Sequence, residues 1–554
     1  MHRVTDFSGQ PEVLAIRGLT VRVDGAPASA PPILDSIDLT IRRGETLCLV
    51  GESGSGKSVT SLATMGLLPP GLKVTGGSIK LEGEELLTKS HGEMRALRAA
   101  RVAMVFQEPM TALNPVLRVG DQILEVLELH GRGGAGAREK ARDLLDQVHL
   151  PNIDRIMRSY PHELSGGQRQ RIMIAMALIL DPALLIADEP TTALDVTTQK
   201  QILSLIDELK HKHGTAVLFI THDMGVVAEI ADTVQVMRHG KLVEAGSIRQ
   251  ILRAPTQGYT RDLLTAVPSL TPRHARCVED GREGAPLAVE NLGKVYGARG
   301  WFARGEGVAA ARNVSFRLGA GRTLGIVGES GSGKSTVARC VMRLIDPTSG
   351  RIMLDKADIA RLSRAQLRPH RRAIQVVFQD PYRSLNPRWT VAESLIEGPV
   401  NYGAPRAEAL AEARRLLGVV GLPEDAMERY PHMFSGGQRQ RIAIARAVAM
   451  KPDVLVADEA VSALDVSVQA QVLDLLDDLQ KRLGIAILFI THDLRVAAQI
   501  CDDVMVMQKG EVVEYGPATD VLAAPKHAYT RALIDAAPGR GWDFQNFREM
   551  AASA

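Results

Sequence analysis

Long apolar runs are missing from this chain of 554 residues. A helix that crosses a bilayer needs about 20 consecutive apolar residues. The richest stretch, residues 172–180, is stopped by Asp181-Pro182, and the N-terminus, Met1-His2-Arg3-Val4-Thr5-Asp6, has no apolar signal core. The chain is expected to be cytosolic by itself and to reach a membrane only through partners. Excess charge of one sign is missing too. A formal net charge of +2 provides no basic field of the kind that holds nucleic acid, so no nucleic-acid partner is expected. Cysteine is scarce: Cys48, Cys277, Cys340 and Cys501 lie far apart with no CxxC. That usage predicts buried or free thiols in a reducing compartment, ahead of a metal cluster. The remaining composition, 45% hydrophobic and 23% charged, is that of an ordinary soluble globular chain, long enough for two or more domains with full cores.

Two phosphate-binding patterns of the form GxxxxGK[ST] are present, Gly51-Glu52-Ser53-Gly54-Ser55-Gly56-Lys57-Ser58 and Gly328-Glu329-Ser330-Gly331-Ser332-Gly333-Lys334-Ser335. The same later motifs follow each in the same order. Lys334 lies 277 positions after Lys57 (334 − 57) and Gln379 lies 272 after Gln107 (379 − 107). The Ser-Gly-Gly-Gln, Asp-Glu, Thr-His-Asp and Tyr-Thr-Arg segments all repeat at 270 (435 − 165, 458 − 188, 492 − 222, 529 − 259). A constant offset with small early drift predicts two tandem homologous domains. Their boundaries read as 12–267 and 286–538, with a proline- and glycine-containing linker at 268–285 and a patternless tail at 539–554 that is expected to be disordered.

In the first half, strands are expected at 13–23, 46–50, 102–106, 183–187 and 216–220, and a helix at 58–68. These short apolar runs predict a largely buried parallel α/β sheet, interrupted by a mostly helical stretch from about 119 to 180. The strand–loop–helix context makes the phosphate loops credible. Backbone N–H groups of Gly51, Ser53, Gly54, Ser55, Gly56, Ser58 and Val59 would surround the phosphates of ATP, as would those of Gly328, Ser330, Gly331, Ser332, Gly333, Ser335 and Thr336. Lys57 and Lys334 would neutralise β- and γ-phosphate charge, and Ser58 and Ser335 would bind Mg2+.

Asp188-Glu189 and Asp458-Glu459 each end an apolar strand. The first acid stands where Mg2+ needs a ligand and the second where a general base can polarise the attacking water. Gln107 and Gln379 end another strand, where a neutral amide can touch Mg2+ or that water. His222 and His492, in Phe-Ile-Thr-His-Asp, are positioned to hydrogen-bond the γ-phosphate.

Ser165-Gly166-Gly167-Gln168 and Ser435-Gly436-Gly437-Gln438 complete a set that resembles the ATP-binding-cassette (ABC) ATPases over nearly the whole chain. The resemblance implies two P-loop ABC-type nucleotide-binding domains of α/β class. Each would have a mainly parallel sheet, a β subdomain and an inserted helical subdomain. It further implies head-to-tail pairing of the two domains within the chain, sandwiching two ATPs. Site one would join Lys57, Ser58, Gln107, Asp188, Glu189 and His222 with Ser435, Gly437 and Gln438. Site two would join Lys334, Ser335, Gln379, Asp458, Glu459 and His492 with Ser165, Gly167 and Gln168. Asp195 and Asp465 match the loop through which paired domains sense each other. Relatives stack an aromatic on adenine from the end of an early strand: Tyr296 is the candidate in the second half, with Trp301 or Phe302 behind it, whereas Val23 occupies the matching place in the first.

The segments at 106–115 and 378–387, each ending Leu-Asn-Pro, look like those of importer ATPases for peptides, glutathione and nickel chelates. Pro255-Thr256-Gln257-Gly258-Tyr259-Thr260 and Pro525-Lys526-His527-Ala528-Tyr529-Thr530 resemble that subgroup's Pro-x-His-Pro-Tyr-Thr motif imperfectly, and no chemistry is evident in them. The fused arrangement is similar to glutathione-importer and microcin-type ATPases. The expected partners are two transmembrane permease subunits and, indirectly, a solute-binding protein, at the cytoplasmic face of the inner membrane. Some members carry a cysteine cluster for iron–sulfur; Cys277 stands alone, so none is expected. The alternatives are a soluble twin-cassette translation or repair factor, disfavoured by the short proline-containing linker without a basic run, and an exporter ATPase.

Overall fold

The computed structural model describes residues 7–106, 112–192, 194–273, 285–297, 307–462 and 464–550. The chain divides into two compact units, one of residues 1–194, 198–267 and 538–554, the other of 195–197 and 268–537.

In the first unit, Thr46–Val50, Leu184–Asp188 and Ala216–Thr221 are buried at every position. A strand without a polar face must be covered on both sides, which is the condition of a parallel sheet between layers. These strands sit inside a six-stranded sheet running from Lys241–Ser247 through Thr233–Arg238, Thr46–Val50, Ala216–Thr221 and Leu184–Asp188 to Val102–Val105. All neighbours are parallel except the edge pair Lys241–Ser247 and Thr233–Arg238. The last two strands in that order are hydrogen-bonded neighbours, yet the helices Val119–Leu129, Ala137–Gln147, Ile153–Arg158 and Gly166–Leu178 lie between them in sequence. This is the expected helical insertion. A second, antiparallel sheet pairs Glu12–Val23 with Leu34–Arg42 and Leu72–Leu81.

The second unit repeats the plan. Thr323–Val327 lies mid-sheet between Ala486–Ile490 and Asp503–Gln508, and Leu287–Tyr296 pairs with Val308–Leu318 and Ser349–Leu354. Apolar clusters that include Leu49, Ile186 and Leu218 in one unit, and Ile326, Val456 and Leu488 in the other, fill the space around these sheets.

Two expectations need correction. The helix after the first phosphate loop covers Lys57–Thr64 and stops before 68, because Gly66 turns left-handed (φ 61°) and Pro69-Pro70 cannot continue it. The tail is not patternless. Trp542–Asp543 pairs with Arg548–Glu549, Phe544 is buried at 5%, and the segment from 538 groups with the first unit. Of the linker, residues 274–284 lie outside those described. Arg273, just before them, is ion-paired to Asp477 at 2.7 Å and donates to the carbonyl of Ile500.

Candidate active sites

Each phosphate loop leaves the carboxyl end of its central strand, the place where parallel sheets bind ligands. The backbone there is one only glycine can follow. A Cβ on Gly51 (φ 150°) would stand 2.2 Å from the carbonyl oxygen of Met237, and one on Gly328 (φ 148°) 2.3 Å from that of Met507. Gly56 (φ 104°) and Gly333 (φ 105°) are the N-caps of the following helices and offer no side chain to the first-turn N–H groups. Those donors face the loop, as phosphate binding requires. Lys57 and Lys334 are buried and curl back over their own loops. Their Nζ atoms donate to the carbonyls of Gly51 (2.7 Å) and Glu52 (2.9 Å), and of Gly328 (2.7 Å) and Glu329 (2.8 Å). Burial lowers the Lys334 ammonium's pKa, and the Glu459 carboxylate acts against that.

Each acid pair stands at the end of a strand one removed from that of its phosphate loop, with Ala216–Thr221 or Ala486–Ile490 between the two. Ser58 Oγ donates to Asp188 Oδ1 at 3.2 Å. Burial pushes the Asp188 carboxyl up to about 6, helped by the adjacent Glu189 charge. Asp458 is raised by the same two causes, and its Oδ1 is buried with no hydrogen-bond partner among the described residues. A buried carboxylate oxygen left unpaired is costly, and a hard divalent cation such as Mg2+ would satisfy it, so the donor set fits the ion.

Glu189 and Glu459 occupy left-handed backbone conformations at φ 46° and 50°. Their N–H groups donate to the carbonyls of Ile220 (2.9 Å) and Ile490 (3.0 Å) on the next strand. His222 Nδ1 lies 3.1 Å from Glu189 Oε1, and His492 Nδ1 lies 3.6 Å from Glu459 Oε1. Burial, the largest single influence, would raise both glutamates; the histidine beside each, together with the phosphate-loop lysine, holds the carboxyl below its ordinary value. Burial likewise works against a charged His492, and the Glu459 carboxylate raises its pKa in spite of it. Thr192 Oγ1 donates to Glu189 Oε2 at 3.1 Å, whereas Ser462 Oγ donates to the Glu459 carbonyl and accepts from Gln379 Nε2 at 3.3 Å. The sequence reading missed Thr192 and Ser462. Their position three residues after each glutamate was the available signal. Gln107 lies outside the described residues.

Ser165 and Ser435 open the helices Gly166–Leu178 and Gly436–Val448 through reciprocal capping boxes with Gln168 and Gln438. A Cβ on Gly167 would meet Thr198 Cγ2 at 2.7 Å, and one on Gly437 would meet Val468 Cγ1 at 2.2 Å. Both glycines are therefore required by close packing, while among the described residues nothing approaches a Cβ on Gly166 or Gly436 within 4 Å. Asp465 is the N-cap of the helix Val466–Leu483. Tyr296 ends its strand 42% exposed, with Lys294 Nζ 5.2 Å from its ring centroid, so it is not core filler. Val23 ends the matching strand 46% exposed. Trp301 and Phe302 lie outside the described residues, as does Cys277. Cys48, Cys340 and Cys501 are buried free thiols.

The ABC transporter family model matches residues 34–192 and 311–462, and the model for the C-terminal region of oligopeptide/dipeptide transporters matches 243–306 and 513–548. The glutathione import ATP-binding protein GsiA of Salmonella typhimurium (strain LT2) is 48% identical over 561 residues, covering 95% of this chain and 90% of that one. Its counterpart in Escherichia coli O6:H1 is 47% identical over 565 residues, with the same coverage. Among solved structures, the dimeric post-hydrolysis ATP-binding cassette MJ0796 with ADP and Pi matches 42% of this chain and 98% of its own at 30% identity, with a TM-score of 0.38. Among the described residues no helix is long and apolar enough to cross a membrane. With the ABC model matched in both halves and two such C-terminal regions, the chain belongs to the ABC transporter family as the ATP-hydrolysing subunit of an importer for peptides or related small solutes.

Proposed function

We propose that the chain powers uptake of small peptides of the glutathione type by hydrolysing two ATPs at composite sites, docked on two permease subunits at the cytoplasmic face of the inner membrane. The observation that carries the two-site reading is the duplicated Glu–His pair on a left-handed turn beside a buried aspartate. Glu189 and Glu459, kept ionised, accept a proton from the water that attacks the γ-phosphorus as the bond to the ADP oxygen breaks. His222 and His492 orient the glutamates and reach toward the γ-phosphate. Mg2+, held by Ser58 and Asp188 or by Ser335 and Asp458, with Gln107 or Gln379 near it, would neutralise charge on the transferring phosphoryl group. Ser435 and Gly437 close the first site, and Ser165 and Gly167 the second.

The permease reading is supported by the Leu-Asn-Pro segments. Asn114 is locked to the helical insertion, its N–H donating to Gln122 Oε1 at 2.9 Å and its carbonyl accepting from Gln122 Nε2 at 3.1 Å. Val116, just after the first segment, is 75% exposed and Tyr382, within the second, 53% exposed, leaving apolar surface for a permease helix. The glutathione-type substrate is supported by the relatives' names and their 48% identity.

The test is a tagged pull-down of the Glu189→Gln/Glu459→Gln variant with ATP from detergent-solubilised source membranes, followed by mass spectrometry. Two multi-span permease subunits are expected. ATPase of the reconstituted complex should rise with glutathione supplied through its solute-binding protein. Recovery of ribosomal proteins or nucleic acid in place of permeases overturns the importer assembly; stimulation by other solutes but not glutathione overturns the substrate.

A further inference from the structure

The Tyr-Thr-Arg segments presented no chemistry in sequence, but their tyrosines end at the ATP sites. The Tyr259 hydroxyl accepts the backbone N–H of Glu52 at 3.2 Å, and the Tyr529 hydroxyl accepts that of Glu329 at 3.1 Å. Glu52 and Glu329 are the second residues of the two phosphate loops. The carbonyls of the same two residues accept Nζ of Lys57 (2.9 Å) and Lys334 (2.8 Å). The opening of each loop is therefore gripped by its lysine on one side and by a residue some two hundred positions away on the other.

A rigid turn aims each tyrosine. Glu244 accepts the N–H groups of Thr256 (2.7 Å) and Gln257 (3.2 Å), and Glu514 accepts those of Lys526 (2.8 Å) and His527 (3.1 Å). Arg261 and Arg531 donate back to the carbonyls of Pro255 (2.9 Å) and Pro525 (3.1 Å). The helices Gly258–Thr265 and Ala528–Ala536 start from these turns. Packing alone does not account for the arrangement. The Tyr259 ring lies under the Arg238 guanidinium, 4.7 Å from its carbon to the ring centroid, while Gln508 stands at the matching place in the second half. The rings have different neighbours; the hydroxyls have the same target. Burial pushes the Tyr529 hydroxyl up to about 12, so it keeps its own proton while accepting the N–H.

We propose that Tyr259 and Tyr529 are positioning residues for nucleotide: each hydroxyl pins the peptide that opens its phosphate loop, so the C-terminal region of each half sets the shape of the loop and responds to its occupancy. The pinned peptide follows Gly51 or Gly328, whose φ near 150° is available to few other residues. Without the hydroxyl that peptide is free to rotate, and the loop must be ordered again each time nucleotide binds. Glu189, Glu459 and the histidines stand just past the ends of other strands, so the pinned peptide is not among the groups that act on the water. The effect therefore falls on affinity.

The test compares the full chain with its Tyr259→Phe/Tyr529→Phe variant, which keeps both rings. Loss of one net hydrogen bond per site should raise KM for MgATP and weaken ADP binding by about two- to tenfold, with kcat unchanged and the melting temperature lowered by at most a few degrees. Amide exchange at Glu52 and Glu329 should quicken in the nucleotide-free variant. In the wild-type chain, ADP should slow exchange across both Tyr-bearing helices, and in the variant it should not. Wild-type KM and ADP affinity in the variant, or no response of those helices to ADP in the wild type, overturns the proposal. Measurable ADP binding by the wild-type chain separates either result from a failure of the ATP sites themselves.

Discussion

A glutamate at φ 46° or 50° is in a region that side-chain-bearing residues seldom enter. Such a conformation costs about 1–3 kcal/mol and persists only where neighbours fix it. Here the hydrogen bonds to Ile220 and Ile490 do so, and the turn projects each carboxylate beyond the strand end toward its histidine. The identity of Glu189 and Glu459 was legible because an Asp-Glu pair ends an apolar strand after a phosphate loop. Their backbone strain was not, because nothing local favours it; the constraint comes from the adjacent strand. Replacing Glu189 and Glu459 with glutamine keeps shape and hydrogen bonding to the backbone but removes the base. ATP turnover of the double variant should fall by about 10²- to 10⁴-fold while ATP still binds. Each single variant should lose more than half the wild-type rate. A single variant that hydrolyses ATP at the wild-type rate would remove the claim of two competent sites.

The strands were readable because burial on both faces leaves uninterrupted apolar runs, and the observed Thr46–Val50 matches its expectation residue for residue. The tail was not readable. Strands of two residues, Trp542–Asp543 and Arg548–Glu549, are too short to show a period. What holds this hairpin is long-range. Arg253 pairs with Glu549 at 2.8 Å and lies over the Trp542 ring at 5.9 Å, and the Gly539 N–H donates to Glu229 Oε1 at 2.9 Å. The Arg253–Glu549 pair is half-exposed and contributes at most about 1 kcal/mol. Phe544, 5% exposed, is the stronger anchor, since truncating a buried phenylalanine to alanine costs about 3–5 kcal/mol. Trypsin should therefore cleave the native chain slowly at Arg540 and Arg548, and the Phe544→Ala variant rapidly at both. Equal cleavage rates in the two proteins would show that the hairpin does not rest on that side chain.

Across the whole molecule, two halves built to one plan share their phosphate-loop and acid residues, and one difference between them bears directly on nucleotide. Both halves hold the lysine, the acid pair, the histidine and the tyrosine that reaches the phosphate loop. They part at the rim: Tyr296 ends the early strand of one half, Val23 that of the other, and both are more than 40% exposed. An exposed aromatic carries a cost in water that a stacked purine would relieve, and Lys294 over the ring keeps it oriented. Valine offers no π-face. Aromatic stacking is worth about 0.5–1.5 kcal/mol beyond burial, or roughly two- to tenfold in affinity. Nucleotide titration of the Glu189→Gln/Glu459→Gln chain should accordingly resolve two affinities, the weaker belonging to the site with Lys57. Val23→Tyr should tighten the weaker phase toward the stronger, and Tyr296→Ala should weaken the stronger toward the weaker. Exposed strand ends tolerate both changes without loss of core, so the melting temperature should stay put. Two equal affinities in the parent chain, or a Val23→Tyr titration that overlays it, would mean that the adenine is held by neither side chain and that the asymmetry between the halves lies elsewhere.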